Sequence, residues 1–475
     1  MKRSRLDKSR IAACTSGVGR PSCNKAFYAG LFLFSFLFAL ASLAVADPGA
    51  QTPQTPDYRW LSLQDCLSLA RRYNPALGGA VEKIRELTAD YRAARSQFFP
   101  QLTSAAYYER LEPDRLLPGA GSPKGITPDS AEGFAGVTGK QLLFNGGQTW
   151  YGTKAAKIGA QAQKQEALRT GDQVAFDVTR AFYLLMEAKE NLNVARYALK
   201  QRQEFLRLTE VFFKAGKVTK LDFFRAKSQV SDARQAQAVA ENALRLAREI
   251  LARTIGLKEQ TEVDIRGGLP RSFAPAPGID SLWEEALEHN PEIRELNLQI
   301  KQNEALVNAA KGSYYPTLSL QGDLGTRSQD PAGTKGEWIA GVFVEFPIFE
   351  GGLRRAQVAA ADSRHLQSID KKRDRLNSLK IDLTTAWQDL KNSGSGVRDT
   401  MQSVETNEEA YGSARALYRN GKAIGLDVLQ AQVDLTSSRF SLIKYKADYE
   451  VARARIRQIL GTPYLEAIEN GGRKQ

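Results

Sequence analysis

The sequence predicts a mainly α fold with a small β part: two tandem repeats, with long coiled-coil helices plus four strands per chain. Three observations predict it. Short motifs recur at a fixed offset, a heptad seam runs too far for a compact globule, and four runs of about 11 residues have strand character.

The repeat comes first, because it organises everything else. Asn74-Pro75 recurs as Asn290-Pro291, and Phe98-Phe99-Pro100 as Tyr314-Tyr315-Pro316, both at an offset of 216. Phe144-Asn145-Gly146-Gly147 recurs as Phe349-Glu350-Gly351-Gly352 at 205. Gly216-Lys217 recurs as Gly421-Lys422, Leu221-Asp222 as Leu426-Asp427 and Ile255-Gly256 as Leu460-Gly461, again at 205. The offset changes by 11 in one place, the Pro-rich segment Glu112–Ser130. Residues 47–256 therefore form a first repeat, 257–280 a linker that reads as irregular, and 281–475 a second repeat with a short polar tail.

Each repeat opens with a helix, about Pro75–Phe99 or Pro291–Tyr315. Proline suits its first turn, and proline beyond the end stops it. After the Gly-Gly pair comes a very long helix, Gln148–Lys214 or Leu353–Asn420, then a Gly-containing turn and a last helix, Lys220–Ile255 or Leu426–Leu460. Val174, Val178, Ala181, Leu185, Ala188, Leu192, Ala195 and Leu199 are spaced alternately by 4 and 3, the seam of helices wound left-handedly about each other. The second copy of the seam contains Ser393-Gly394-Ser395-Gly396. Two mid-helix glycines cost about 1 kcal/mol each, so a bend or small side-insert is expected there. At about 1.5 Å per residue the long helix is a rod of roughly 100 Å. The two shorter helices, stacked end to end, would nearly match it.

The strand runs are Gln101–Leu111, Phe134–Phe144, Thr317–Arg327 and Trp338–Phe349. Their length suits a tilted strand crossing a bilayer. In the third, Thr317, Ser319, Gln321 and Asp323 alternate with Leu318, Leu320 and Leu324, a water side and a lipid side. Tyr107, Lys140 and Glu345 break the pattern in the others, so an ordinary sheet packed on a helix stays open. Aromatics bracket the runs, as an interfacial belt would. Four strands cannot close a membrane barrel, and open edges in lipid cost several kcal/mol per unpaired group. If the runs span a bilayer, several chains must pool them, and three chains would give twelve strands.

Composition excludes other classes. Apolar residues are 42% and charged residues 25%, with a mean hydropathy of −0.39. That is too polar for a polytopic helical membrane protein and too apolar for a disordered chain. Residues 1–46 read as a signal peptide: a basic stretch, an apolar run Phe27–Leu43 and the small-x-small site Ala44-Val45-Ala46. A transmembrane anchor is the alternative. Cleavage would remove seven of 66 basic and one of 53 acidic residues, leaving 59 against 52, a net of +7. Nucleic acid is then no expected partner. Cys66 would be the one thiol left, a core residue of the apolar run Trp60–Leu69, with no disulfide and no lipid-bearing N-terminal cysteine.

Taken in order and twice over, the Asn-Pro pairs, aromatic-Pro strand entries, Phe-x-Gly-Gly exits and Gly-Lys turns resemble the TolC-type outer-membrane efflux protein family across residues 58–462. The resemblance implies a homotrimer in the outer membrane, spanning into the periplasm. Its twelve-stranded β-barrel would continue as an α-helical periplasmic tunnel, an exit duct carrying small toxic molecules out of the cell. Its partners would be a periplasmic adaptor protein, an inner-membrane pump and outer-membrane lipid.

The resemblance also places the periplasmic mouth at the two helix-helix turns. Gly216, Lys217, Val218, Thr219, Gly421, Lys422, Ala423 and Ile424 would form the tips that dock the adaptor. Tyr418 and Asp222 match a tyrosine–aspartate latch, and Asp427 an aspartate ring. Ala423 replaces the family's arginine, for which Arg419 is a candidate substitute, and Gln430 replaces a second aspartate. Tyr418 also continues the heptad seam through Val404 and Tyr411, so a packing role stands beside the latch.

No catalytic arrangement stands out, and neither cofactor nor metal is expected. Gly133–Lys140 has a phosphate-loop flavour, but Gln141 takes the place of the needed hydroxyl. His289 and His365 share no ligand spacing. The protein reads as no enzyme. Two other readings remain: the same duct serving type I protein secretion, and an exported coiled-coil structural or adhesive protein without a pore.

Overall fold

The computed structural model describes residues 60–111, 130–258, 261–270, 273–329 and 333–461. The expected signal peptide, the offset-changing loop and the polar tail lie outside them. The elements in order are α1 (Leu63–Tyr73), α2 (Pro75–Ser96), β1 (Gln101–Leu111), β2 (Ser130–Phe144), α3 (Gln148–Lys214) and α4 (Lys220–Ile255). The second repeat follows with α5 (Ile279–His289), α6 (Pro291–Gly312), β3 (Thr317–Gln329), β4 (Gly333–Glu345), α7 (Leu353–Arg419) and α8 (Gly425–Leu460).

The long helices start and end within one residue of expectation. α2 and α6 stop three residues earlier than expected, where the chain turns toward the sheet. β2 begins earlier than expected, and β4 is displaced to Gly333–Glu345, ending before Pro347, which cannot donate to a ladder. The helices α1 and α5, each of 11 residues before an Asn-Pro pair, are the elements the repeat pattern did not separate out. Ser62 caps α1 in a reciprocal box with Asp65.

The Asn-Pro pairs splice the short helices into one rod. Asn290 Oδ1 accepts from the Glu292 and Ile293 amides at 2.8 and 3.1 Å, capping α6, while its Nδ2 donates to Ile459 O in the last turn of α8 at 2.7 Å. Asn74 does the same for α2 and α4, accepting from Ala76 at 2.9 Å and donating to Thr254 O at 2.8 Å. One asparagine thus uses its acceptor on one helix and its donor on the next. The departing helix ends on a left-handed glycine, Gly256 or Gly461, where a Cβ would come within 2.3 Å of Tyr73 O or 2.4 Å of Pro291 Cδ.

The heptad seam is buried along both long helices, from Val174 to Ala195 and from Leu379 to Val397. Ser393–Gly396, expected to interrupt the packed seam, stays helical and packed. α7 runs unbroken through it, and Ser393, Gly394 and Val397 are buried. The glycines let tyrosine rings of α8 lie on the helix backbone: a Cβ on Gly394 would meet Tyr449 at 3.6 Å, and one on Gly396 would meet Tyr445 at 2.6 Å. Close packing offsets the glycine penalty. Tyr449 goes on to donate to Ala274 O at 2.8 Å, and Trp387 Nε1 donates to Pro277 O at 2.8 Å. The irregular linker is pinned to the second repeat by these bonds.

The strands form one antiparallel sheet in the order β1-β2-β3-β4, so the two hairpins join through β2 and β3. β1 and β4 are its edges. The register assigns each residue a face. Leu102, Val137, Leu324 and Trp338 project on one side; Thr103, Thr138, Asp323 and Lys140 on the other. Along β3 exposure alternates with the pleat: Leu324 is 68% exposed and Ser319 5%. Lys140 and Tyr107, which seemed to break the pattern, both belong to the second, polar face. There Tyr107 packs on Phe134 at 5.7 Å, and Arg327 bonds Glu337 at 2.8 Å. No helix among the described residues is long and apolar enough to cross a membrane.

Candidate functional site: the tips of the helical hairpins

The two helix-helix turns lie at the end of α3 and α7 remote from the strands. Each reverses on a glycine in the left-handed region, Gly216 and Gly421, both with φ 70°. Their Cβ positions are open, so backbone conformation and not space demands glycine there. The Lys217 amide donates to Phe212 O at 2.8 Å and the Lys422 amide to Leu417 O at 2.9 Å, closing each helix end.

The next helix begins on its aspartate. Asp222 Oδ2 accepts from Thr219 Oγ1 at 2.7 Å and from the Thr219 amide at 3.2 Å, and Thr219 Oγ1 accepts from the Asp222 amide at 3.2 Å. At the equivalent place Asp427 Oδ2 accepts from the Ile424 amide at 3.3 Å. Both carboxylates therefore cap helices at their positive ends. The Thr-x-x-Asp spacing of 219–222 carries that signal in the sequence.

Tyr418 is the buried residue of the set, 3% exposed. Its ring sits between Phe205, at 5.2 Å between centroids, and Phe212, at 5.5 Å. Its hydroxyl lies 3.3 Å from Thr209 Oγ1. Thr209 already donates to Phe205 O at 2.9 Å, so its oxygen accepts and Tyr418 donates. The expected latch partner, Asp222, is engaged with Thr219 and reaches Tyr418 only through its charge. Burial pushes the phenol up, and the Asp222 charge adds a further upward push.

Phe205, Ala226, Tyr411, Tyr418, Val428 and Leu435 form one apolar cluster joining the two hairpins, with Val218 and Ala423 packed against it. Arg415 of α7 reaches Glu204 of α3 at 3.2 Å, a second tie between hairpins. Thr209 and Arg415 were not foreseen, since each reads as an ordinary helix-surface residue. Arg419, the candidate substitute for the missing arginine, is exposed.

The tip surfaces differ. The first carries stacked Phe213 and Phe223 at 5.4 Å and the exposed Leu221, with Lys217 over Phe212 and Lys220 over Phe224. The second presents Lys422, Ile424 and Leu426 to solvent. Thr219 is exposed as well. Gly133–Lys140 runs as part of β2, so it forms no loop that could cradle a phosphate. Among the described residues no His, Cys, Asp or Glu cluster is placed to hold a metal.

A family profile described as outer membrane efflux protein matches residues 66–257 and 282–462. The outer membrane protein OprJ of Pseudomonas aeruginosa is 24% identical over 430 residues, covering 86% of this chain and 87% of that protein. The probable outer membrane lipoprotein SilC of Salmonella typhimurium is 24% identical over 407 residues, covering 82% and 86%. Among solved structures, the CmeC outer membrane channel of Campylobacter jejuni superposes with a TM-score of 0.77 at 17% identity, over 89% of this chain and 93% of that one. The MtrE outer membrane channel of Neisseria gonorrhoeae, in its open state, superposes with a TM-score of 0.71 at 21% identity, over 88% and 94%. With both repeats matched by the profile, the chain belongs to the outer membrane efflux protein family.

Proposed function

We propose that three copies of this chain form the outer-membrane exit duct of a tripartite export system. The observation that carries the reading is the sheet: four antiparallel strands, one apolar exposed face, one polar face and two edges without partners among the described residues. Apolar residues facing lipid, polar residues facing a lumen and edges closed by identical neighbours satisfy every backbone group. The helical hairpins then extend the lumen by roughly 100 Å. Family membership and this sheet favour the duct over a rod without a pore.

The tips, with Gly216, Lys217, Val218 and Thr219 on one turn and Gly421, Lys422, Ala423 and Ile424 on the other, meet a periplasmic adaptor and through it an inner-membrane pump. Tyr418 holds the mouth, and Asp222 and Asp427 fix the helix starts beside it. Cargo is small toxic molecules. Relatives described as the toluene efflux pump outer membrane protein TtgC of Pseudomonas putida and the fusaric acid resistance protein FusA of Burkholderia cepacia support that class.

Purified protein in mild detergent is expected to run as a trimer and to conduct ions in a planar bilayer. Deleting the gene is expected to sensitise cells to small toxic compounds. A soluble monomer without conductance would overturn the duct. Unchanged tolerance together with loss of an exported polypeptide from the medium would transfer the duct to protein secretion.

A further inference from the structure

The two repeats meet side by side once within the chain, and each has a matching flank left bare. α3 of the first repeat lies between its own α2 and α6 of the second repeat. Its counterpart α7 packs along its own α6, and no short helix of the other repeat flanks it among the described residues. α2 likewise packs along α3 alone among the described elements, whereas α6 lies between α3 and α7. Exposure records the difference. Phe144, at the end of β2, is 47% exposed and its counterpart Phe349 is 88% exposed. Gly146 and Gly351 share a left-handed backbone, φ 65° and 60°. A Cβ on Gly146 would come within 2.2 Å of Gly312 O and 2.7 Å of Tyr315 Cβ, while nothing lies within 4 Å of one on Gly351.

The sequence offsets hold in three dimensions. Gln101 pairs with Lys140 in the first hairpin and Thr317 with Glu345 in the second, shifted by 216 and 205. The hairpins are therefore equivalent residue for residue. They join through β2 and β3, where Thr138 stands opposite Asp323 and Val137 opposite Leu324. β4 and β1 are the edges that could make the same join again, and they belong to opposite ends of the sheet. Only a second copy can bring them together.

We propose that the second repeat of one copy docks head-to-tail on the first repeat of the next, in the register that joins the two repeats within the chain. The inference rests on the three-copy reading above and fixes its seam. β4 pairs with the partner's β1, so that Phe343 faces the partner's Tyr107 on the polar side of the sheet and Val342 faces the partner's Tyr108 on the apolar side. α7 lies against the partner's α2, and the Gly351 turn sits under the partner's Phe99. The partner's Ser96 brings a Cβ where Gly312 has none, so the contact is wider at that end. Further along, a Cβ on Gly159 would come within 2.9 Å of Gln302 inside the chain. Gly159 maps to Arg364 at offset 205 and Gln302 to Glu86 at 216. A neutral contact within the chain thus becomes an ion pair between copies, Arg364 with the partner's Glu86. Arg364 is exposed, and Glu86 is exposed with Lys83 of its own helix at 2.7 Å. Opposite charges here select the register and the partner.

Paired cysteines in the full-length protein read the register. Phe343→Cys with Tyr107→Cys, and Val342→Cys with Tyr108→Cys, replace residues that are exposed in the single chain. Under mild oxidation each pair is expected to move most of the protein into covalent dimers and trimers on a denaturing gel. Val342→Cys with Ala106→Cys, on the same face but two residues out of register, is expected to link several-fold less. The unsubstituted protein, whose Cys66 is buried, is the blank. In parallel, Arg364→Glu is expected to lower the temperature at which the trimer dissociates in mild detergent, and adding Glu86→Arg is expected to recover it. A stable trimer that links through the shifted pair, or through no pair, would overturn the register and leave the duct standing. A trimer that shows no recovery in the double exchange would overturn the ion pair. Monomers under the same conditions would overturn both this docking and the three-copy duct.

Discussion

Tyr418 of α7 donates to Thr209 of α3 across 3.3 Å inside an apolar cluster, so the two hairpins are joined near their tips by a buried neutral hydrogen bond. A neutral bond between a phenol and an alcohol is indifferent to salt, unlike a latch built on a carboxylate.

Loss of that bond sets the first prediction. Tyr418→Phe keeps the ring between Phe205 and Phe212 and removes about 1 kcal/mol. Tyr418→Ala empties the cage and removes about 3–5 kcal/mol. Single-channel conductance is expected to rise slightly in the first and strongly in the second. Asp222→Asn, which keeps a capping side chain, is expected to leave conductance near its original value. A strong rise in Asp222→Asn with none in Tyr418→Ala would return the latch to the carboxylate.

The two mid-helix glycines of α7 are predicted to behave oppositely. Gly394→Ala adds a methyl at ordinary contact distance from Tyr449 and is expected to stabilise by up to about 1 kcal/mol. Gly396→Ala drives a methyl to 2.6 Å from the Tyr445 ring and is expected to destabilise by about 1–3 kcal/mol. Melting temperatures followed by circular dichroism separate the two. Pairing Gly396→Ala with Tyr445→Ala is expected to recover much of the loss.

The splice between helices gives a third expectation. Asn290→Ala removes a cap and leaves Ile459 O without its side-chain donor at a buried site, a cost of about 2–3 kcal/mol. Asn74→Ala, at a less buried site, is expected to cost about 1 kcal/mol. Equal losses, read from denaturant or thermal unfolding of the two variants, would mean that burial does not set the cost.

Cys66 provides a probe. It is fully buried, and burial with the nearby Asp65 charge pushes its thiol up to about 12. The thiolate is the reactive form, so a maleimide is expected to leave Cys66 unlabelled in the native protein at neutral pH and to label it on unfolding. Rapid labelling of Cys66 in the native protein would show that α1 leaves its place.

Much of this was legible in the sequence, for a physical reason. Helix limits are written locally: Asn74-Pro75 and Asn290-Pro291 start helices, and Gly216, Gly421, Gly256 and Gly461 end them whatever lies nearby. The heptad seam announced itself by its spacing. What local reading missed depends on contacts between distant segments. Gly394 and Gly396 look like helix breakers until Tyr445 and Tyr449 arrive from α8 to use the space. Thr209 is one more helical threonine until Tyr418, far along the chain, points at it. Asp222 and Asp427 stand out in the sequence, but the groups that engage them are the nearby Thr219 and Ile424 amides.

The bare rims of β1 and β4 have a kinetic meaning. A newly made copy carries two rows of unsatisfied main-chain groups and has no stable way to enter hydrocarbon alone. Insertion must therefore wait for companions, and its rate should climb steeply, toward the cube, with the supply of unassembled copies. Cells making little of this protein would show a lag before any reaches the bilayer, and a truncated copy lacking one rim would poison the assembly of intact ones.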